Sequence, residues 1–464
     1  MKIKNICCIG AGYVGGPTMS VIAYKNPGIC VNVVDIDQKK IDSWNSKNLE
    51  KLPVFEPGLA KIIEKTRNIN LFFSTDIDKH IGKSEMIFIS VNTPTKTSGK
   101  GKDYQADLKY VEACAKRIAK NSKSDKIIVE KSTVPVRTSE KIRTILKLNN
   151  RKVNFQILSN PEFLSEGTAM RDLEIPDRVI IGGDNTDKGK EAVDLLSNIY
   201  SSWVPKENIL TTNLWSSELS KLTANAFLAQ RISSINSLSE LCEKTGADID
   251  ELAKAIGMDS RIGNSFLKTS VGFGGSCFKK DILNLVYIAR SLKLYKVANY
   301  WENILIINEH QRNRFSSKII DCIIKNSLNN EVLIFGWAFK KNTNDSRESA
   351  SIYVSANLID AQIKLRVYDP KILENQILDD LCNLNPTNKN YKNFITPLND
   401  HDEYLVNTNV VVILTEWDEF ISYDWKSIYK KMSKPAFIFD GRNILDKKSM
   451  ESIGFIYIGL GKNG

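Results

Sequence analysis

The chain has 464 residues, 42% hydrophobic and 25% charged, which is ordinary globular usage and excludes both wholesale disorder and a small disulfide scaffold. At roughly 150 residues per domain the length accommodates two to four compact units. Lys and Arg number 64 against 54 Asp and Glu, a formal charge of +10 that favours approach of an anionic ligand. No run of five or six like charges, RNA-recognition signature or zinc-finger spacing accompanies it, so nucleic-acid binding is not implied.

Apolar runs of strand length alternate with helical patterns at 3–9, 31–35, 70–73, 86–91, 126–130, 155–159 and 178–181. Such alternation predicts a parallel α/β sheet of seven or more strands with crossover helices. Between 214 and about 245 strand signals and proline disappear, Ala, Leu and Ser dominate, and Gly246 supplies a stop, so one unusually long helix is expected. Helical patterns at 249–256, 281–293 and 295–325 complete an all-helical middle section, and helices this long commonly join domains or subunits. After Asn329-Asn330 strands resume at 332–336, 365–369, 410–415 and 436–440, while 383–393, rich in Asn, Lys and Pro, reads as a surface loop. The expected fold class is α/β: two Rossmann-like parallel-sheet domains, 1–213 and 330–464, joined by an all-helical central domain, 214–329, with one long helix.

Eight cysteines, at 7, 8, 30, 114, 242, 277, 322 and 382, sit mostly in apolar stretches where a reduced thiol packs, which suits a reducing compartment. The N-terminus turns directly into a glycine loop and no apolar run reaches membrane-spanning length, so a cytoplasmic location is expected. His80, His310 and His401 are too few and too scattered for a metal cluster, leaving acid-base chemistry to Asp, Glu and Lys.

Gly10-Ala11-Gly12-Tyr13-Val14-Gly15 follows the first strand and opens a helical pattern, the context of a dinucleotide fingerprint. Gly10 permits a tight turn, Gly12 lets main-chain N–H groups approach a pyrophosphate, and Gly15 allows close helix–strand packing. Asp35 ends the second strand, where a carboxylate can accept from an adenosine ribose and repel a 2'-phosphate, so NAD is favoured over NADP. Lys39 and Lys40 lie nearby and could compensate such a phosphate. Without a ligand the motif would simply be a tight strand-to-helix turn.

A second glycine turn, Val271-Gly272-Phe273-Gly274-Gly275-Ser276-Cys277, places a thiol before a helical pattern. Unpaired N–H groups at a helix N-terminus favour an anion, and Lys279 and Lys280 add positive potential, so Cys277 is a nucleophile candidate; its bland alternative is a packed cysteine in a capping turn. A thiol and NAD together suit a reaction in which an aldehyde adds to sulfur, the thiohemiacetal loses hydride and water cleaves the thioester. Lys221 and Asn225, at i and i+4, share a helix face and could direct donors at one oxygen, or could be solvated neighbours. Asp281 lies one turn beyond Cys277, where it either shares the site or merely favours the helix dipole. Glu162 follows a strand's carboxyl end, where α/β sheets place ligands, or is a loop acid. Phe339 and Lys340, and Arg442, also follow strand ends.

Together Cys8-Ile9-Gly10-Ala11-Gly12-Tyr13-Val14-Gly15-Gly16-Pro17-Thr18, Ser90-Val91-Asn92-Thr93-Pro94-Thr95, Glu130-Lys131-Ser132-Thr133-Val134-Pro135-Val136-Arg137, Asn160-Pro161-Glu162-Phe163-Leu164, 221–225, 273–277 and Phe439-Asp440-Gly441-Arg442 make the chain resemble, over nearly its whole length, the UDP-glucose/GDP-mannose dehydrogenase family in its eukaryotic form acting on UDP-glucose. The resemblance implies two hydride transfers to NAD, with UDP-glucose becoming UDP-glucuronate through a cysteine thioester. It assigns Cys277 as nucleophile, Lys221 and Asn225 to the C6 oxygen, Asp281 with Thr133 to water, and Glu162 to proton transfer. The implied NAD site comprises Gly10, Gly12, Tyr13, Val14, Gly15, Asp35, Lys40, Val91, Thr93, Ser132, Thr133, Glu166, Cys277, Lys280 and Arg347. The family position matching Lys40 is often arginine, whose planar fork lysine lacks. The implied sugar-nucleotide site comprises Glu162, Phe163, Leu164, Lys221, Asn225, Arg261, Phe266, Phe273, Gly274, Phe339, Lys340 and Arg442. A homo-oligomer is implied, with a dimer as building block and hexamers in eukaryotic members. GDP-mannose or UDP-N-acetylmannosamine is the alternative substrate within the same chemistry.

Overall fold

A computed structural model describes residues 2–96, 98, 102–165, 167–384, 389–398 and 408–462. The apolar runs are strands because both of their faces are covered: Met86–Ile89 and Val410–Ile413 are buried at every position, as in a parallel strand with helices on either side. The first sheet contains β1 (Asn5–Ile9), β2 (Cys30–Val34), β3 (Leu71–Ser74), β4 (Met86–Ile89), β5 (Lys126–Glu130), β6 (Phe155–Ser159), β7 (Val179–Gly183) and β8 (Ile209–Asn213). The second contains β9 (Glu331–Phe335), β10 (Lys364–Tyr368), β11 (Ile395–Leu398), β12 (Val410–Ile413), β13 (Phe437–Asp440) and β14 (Ile456–Gly459). Their orders are β3-β2-β1-β4-β5-β6-β7-β8 and β11-β10-β9-β12-β13-β14. Counted from its own first strand, each sheet therefore carries the doubly wound 3-2-1-4-5-6 order, which opens a crevice between the first and fourth strands.

The expected fold class holds, with one correction. β6 and β7 pair antiparallel, at Ser159 and Gly182, while the other pairs of both sheets are parallel. An apolar run carries no mark of strand direction. β8, β11 and β14 also escaped sequence reading, because each has exposed positions that dilute its apolar signal. The long helices Leu214–Thr245 and Tyr295–Lys325 are present over the expected residues. Two compact units result, Met1–Ala224 with Leu283–Leu292, and Asn225–Ile282 with Lys293–Gly464. In the first, Trp44, Met19 and Phe88 pack on one sheet face and Ile87, Ile89 and Ile118 on the other. In the second, β9 and β12 pack with Phe315, Ile319 and Ile323 of helix Tyr295–Lys325.

The same turn closes both crevices. After β1, Gly10 has φ +112° and donates its N–H to Val34 O at 2.8 Å; after β9, Gly336 has φ +100° and donates to Tyr368 O at 2.8 Å. A Cβ at Gly10 would stand 2.1 Å from Ser90 O, and one at Gly336 2.4 Å from Thr415 Cβ, so only glycine lets each turn close on the end of the fourth strand. A carboxylate beyond the second strand then holds the following amide: Asp35 accepts from Ala11 N at 2.9 Å, and Asp369 from Trp337 N at 2.6 Å and Ala338 N at 2.9 Å. Asp369 also accepts from Lys371 N, Ile372 N and Trp417 Nε1. Replacing it leaves several buried N–H groups without a partner, so Asp369→Ala should lower unfolding free energy by about 3 kcal/mol, read as a shifted midpoint in urea titration.

Candidate active site

The Gly10 turn has the shape a dinucleotide needs. A Cβ at Gly15 would meet Gly10 O at 2.0 Å, which explains the glycine by packing, whereas one at Gly12 would meet nothing within 4 Å. Gly12 thus borders open space at the N-terminus of helix Gly15–Lys25, where N–H groups and the helix dipole suit a pyrophosphate. Val14 caps that helix and Tyr13 packs partly buried against the sheet core. Asp35 Oδ1 accepts from Asp37 N at 3.1 Å and Oδ2 from Lys40 Nζ at 3.0 Å as well as from Ala11. Burial opposes its charge, but these three donors outweigh burial and hold its pKa below the usual carboxylate value. The Lys40 ammonium is therefore committed to Asp35, and Oδ1 keeps acceptor capacity for a ribose hydroxyl.

At the ends of β4 and β5 the other predicted cofactor residues meet. Thr93 Oγ1 donates to Thr133 O at 2.8 Å, and Ser132 Oγ to Val91 O at 2.8 Å. Thr133 Oγ1 donates in turn to Glu162 Oε1 at 3.1 Å, and Lys221 Nζ lies 3.6 Å from that oxygen, with Lys221 and Glu162 both buried. Glu162 Oε2 has no hydrogen-bond partner among the described residues. Phe163 lies beneath two cations, with Arg178 at 4.0 Å and Lys221 at 5.4 Å from its ring, and Leu164 is half-buried. Glu166 lies outside the described residues.

Beneath this cluster runs a buried polar layer that sequence reading did not single out. Lys131 Nζ donates to Asn160 Oδ1 at 3.1 Å and to Tyr200 OH at 3.4 Å, and Tyr200 donates to the same Asn160 oxygen at 2.7 Å. Among the described residues no carboxylate comes within ion-pair distance of Lys131, and burial lowers its pKa to about 8 despite the charge of Glu162. Glu130 is fully buried; burial, with Glu218 and Glu162 nearby, pushes its pKa well above the ordinary carboxylate value. Lys131 stands inside the motif 130–137, yet nothing in that string tells which way its side chain turns.

The second unit gathers the thiol side. Cys277 is half-buried at the N-terminus of helix Phe278–Ser291, and its carbonyl accepts from Asp281 N at 2.9 Å. Asn225 Nδ2 donates to Asp281 Oδ2 at 2.6 Å, with both residues buried. The glycine loop is closed on its neighbours: Gly275 N donates to Arg347 O at 2.8 Å, Val271 N to Gly441 O at 2.7 Å, and a Cβ at Gly274 would stand 2.9 Å from Phe339 Cβ. Arg442 donates to Leu414 O and Phe339 O at 2.8 Å each, and Asp440 organises its turn by accepting from Arg442, Ile444 and Leu445 amides. Phe273, Gly274, Cys277, Phe339, Arg347 and Arg442 are thereby brought together.

One expectation changes. Lys279 does not lend free charge to the thiol: its ammonium is held by both Glu348 oxygens, at 2.9 and 3.1 Å, and by Tyr353 OH. Lys221 and Asn225 each face a carboxylate, Glu162 at 3.6 Å and Asp281 at 2.6 Å respectively, which orients them while an ammonium with three N–H donors and an amide with two have more to offer than one such contact uses. Arg261 is exposed with its fork on Asp259, and Phe266, at φ +61°, is exposed in a loop whose carbonyls at 262, 263 and 265 are held by Arg231; among the described residues no hydrogen bond or ion pair joins either to the Cys277 group. Lys280 and Lys340 are half-buried, Lys340 over the Phe339 ring at 5.5 Å. None of the eight cysteines is in a disulfide.

Comparison with known proteins decides the family. Residues 4–204 match the model of the NAD binding domain of the UDP-glucose/GDP-mannose dehydrogenase family, 215–310 its central domain and 333–447 its UDP binding domain. The chain belongs to this family. Its first domain is accordingly an NAD-binding domain, which agrees with the Gly12 opening and the Asp35 acceptor. The UDP-glucose 6-dehydrogenase of Bos taurus is 56% identical across 99% of this chain and 94% of its own length, and that of Drosophila melanogaster 55% across 99% and 96%. Among solved structures, a UDP-glucose dehydrogenase from the archaeon Pyrobaculum islandicum superposes with TM-score 0.83 at 27% identity over 99% of this chain and 98% of that one. A UDP-D-ManNAc dehydrogenase from Pyrococcus horikoshii, at 23% identity and TM-score 0.80 over 99% of both chains, shares the fold.

The buried ammonium gives this dehydrogenase a pH signature. Below about pH 8 folded and unfolded chains both carry the Lys131 proton and the burial penalty is full; from about 8 to about 10.4 the folded chain binds fewer protons, so stability rises with pH. Lys131→Met should therefore be more stable than the parent at pH 7 by up to about 3 kcal/mol, the advantage fading by about pH 10.4, as denaturant titrations at pH 7 and at about pH 10 would read.

Proposed function

We propose that this chain oxidises UDP-glucose to UDP-glucuronate with NAD, through a thiohemiacetal and then a thioester on Cys277. The observation that carries the reading is the 55–56% identity, over 99% or more of the chain, to animal UDP-glucose 6-dehydrogenases, joined to a half-buried thiol at a helix N-terminus. Three functional segments follow: 1–213 for NAD, 214–329 for subunit contact and the catalytic thiol, and 330–464 for the uridine nucleotide.

NAD, when bound, accepts hydride at both oxidations, giving two NADH for each UDP-glucose. Gly10, Gly12 and Gly15 let main-chain N–H groups receive its pyrophosphate; Tyr13, Val14, Asp35, Lys40, Val91, Thr93, Ser132, Thr133, Glu166, Lys280 and Arg347 complete its site. Phe163, Leu164, Arg261, Phe266, Phe273, Gly274, Phe339, Lys340 and Arg442 hold the sugar nucleotide. Lys221 and Asn225 hold the C6 oxygen, and Glu162 receives the hydroxyl proton as the alcohol becomes an aldehyde. The Cys277 thiolate, favoured by its helix N-terminus, then adds to that aldehyde carbon; the C–S bond forms and the carbonyl π pair moves to oxygen, where Lys221 and Asn225 stabilise it. Loss of the second hydride leaves the thioester. Glu162 passes the proton it received to solvent before hydrolysis; Asp281 and Thr133 then orient a water whose oxygen bonds to the acyl carbon, the Glu162 carboxylate takes the proton of that water, and the C–S pair returns to sulfur, releasing the acid and the thiolate.

The subunit arrangement belongs to the same reading. Large apolar side chains stand exposed along the two long helices, among them Leu219, Phe227 and Leu241 on one and Tyr295, Tyr300 and Ile306 on the other, a surface suited to a second copy. A homodimer is the building block and a hexamer its assembly. The location is cytoplasmic, in keeping with cysteines that form no disulfide; among the described residues no helix is long and apolar enough to cross a membrane.

Purified protein mixed with NAD and a panel of nucleotide sugars should yield two NADH per UDP-glucose by absorbance, with GDP-mannose and UDP-N-acetylmannosamine inert. One NADH per sugar would remove the thioester stage, and preference for another sugar would replace the substrate. Cys277→Ser should lose acid formation, since an alkoxide forms far less readily than a thiolate at neutral pH; undiminished acid would refute the nucleophile. Light scattering should return an even multiple of the 52.3 kDa chain mass, and a monomer would exclude the proposed assembly.

A further inference from the structure

We propose that Asn308 and Arg312, on helix Tyr295–Lys325, are positioning residues for Cys277, fixing the main chain of the glycine loop that delivers its sulfur. The inference rests on the nucleophilic role proposed for Cys277. The loop has reason to be loose. Residues 270–275 form neither helix nor strand, and three of them are glycine, two at positive φ, +125° at Gly272 and +83° at Gly275.

Side chains from neighbouring helices replace the missing ladder. Asn308 forms a two-point clamp on one residue: its Oδ1 accepts from Phe273 N at 2.8 Å and its Nδ2 donates to Phe273 O at 3.1 Å. Arg312, one turn on, donates to the same Phe273 carbonyl and to Glu348 O at 3.2 Å, with its guanidinium over the Tyr353 ring at 4.3 Å. Gln311 Nε2 donates to Ser270 O at 3.0 Å and Asn236 Oδ1 accepts from Ser270 N at 2.9 Å, so the start of the loop is tied in the same way. Asn308 and Arg312 are both buried.

The clamp explains Gly272 too, since a Cβ there would come 2.9 Å from Asn308 Oδ1 and 3.4 Å from Arg312 Cγ. Behind the loop lies a cavity of about 270 Å³ lined by Phe273, Gly274, Gly275, Asn308, Arg312 and Glu348. That space is where the loop would move if its pins were cut. Cys277 lies four positions after Phe273, and a displacement of about 1 Å at a reacting atom is enough to cost about a hundredfold in rate.

The test uses Asn308→Ala, Asn308→Asp and Arg312→Lys in the full chain, with two readouts. Steady-state kinetics should show kcat lowered about 10- to 100-fold in Asn308→Ala, KM for UDP-glucose raised and KM for NAD unchanged; Asn308→Asp, which keeps the acceptor for Phe273 N–H, should lose less. Iodoacetamide labelling, followed peptide by peptide, should shift the Cys277 rate about fivefold or more in Asn308→Ala and Arg312→Lys while buried Cys7 and Cys8 stay protected. Labelling reads the loop whether or not Cys277 is the nucleophile, so its outcome is separable from that of Cys277→Ser. Kinetics and labelling within twofold of the parent in both variants would overturn the proposal, as would loss of protection at Cys7 and Cys8 in both, which would mean that the two residues hold the fold and not the loop.

Discussion

In both sheets the amide that follows a positive-φ glycine is held by a carboxylate standing just past the neighbouring strand, Asp35 for Ala11 and Asp369 for Trp337 and Ala338. Those hydrogen bonds fix where each first strand ends, and the strand end fixes which amides face the crevice. They also separate the two domains chemically. Asp35 has three donors and retains an acceptor position, while Asp369 has five and is saturated, so the same turn keeps acceptor capacity in one domain and is closed by the protein's own donors in the other.

Around the first crevice the chain buries more charge than it pairs directly. Glu162 sits between Thr133 and Lys221, whereas Lys131 finds only the neutral oxygens of Asn160 and Tyr200. Burial of an ammonium in this way is unfavourable for folding, and locally destabilising, perturbed groups of this kind cluster at functional sites. The second unit uses a different device. Its loop at 270–275 is conformationally free by composition and is ordered by amide and guanidinium groups of helix Tyr295–Lys325 that copy the pattern of a strand pair.

Much of this was legible in the string of residues. Gly10 and Gly15 declare their roles because a Cβ at either would clash with main-chain oxygen, Gly12 and Asp35 are read from their spacing, and the long helix Leu214–Thr245 ends before Gly246, which stops a helix whatever surrounds it. Local physics suffices there. It does not suffice for β8, β11 and β14, whose exposed positions mimic loops, nor for the antiparallel meeting of β6 with β7.

Composition, motif spacing and helix limits were thus determined by the sequence itself: an α/β chain with a dinucleotide turn, a thiol after a glycine loop, and Lys221 and Asn225 on one helix face. Only the tertiary structure decided that Lys279 answers Glu348 instead of the thiol, that Lys131 points inward, and that Asn308 and Arg312 grip Phe273 from 35 and 39 residues away. The reason is range. Turn and helix signals act between neighbours within a few residues, whereas the partner of a charge or an unpaired amide is chosen by whichever side chain the packed elements bring within about 3 Å.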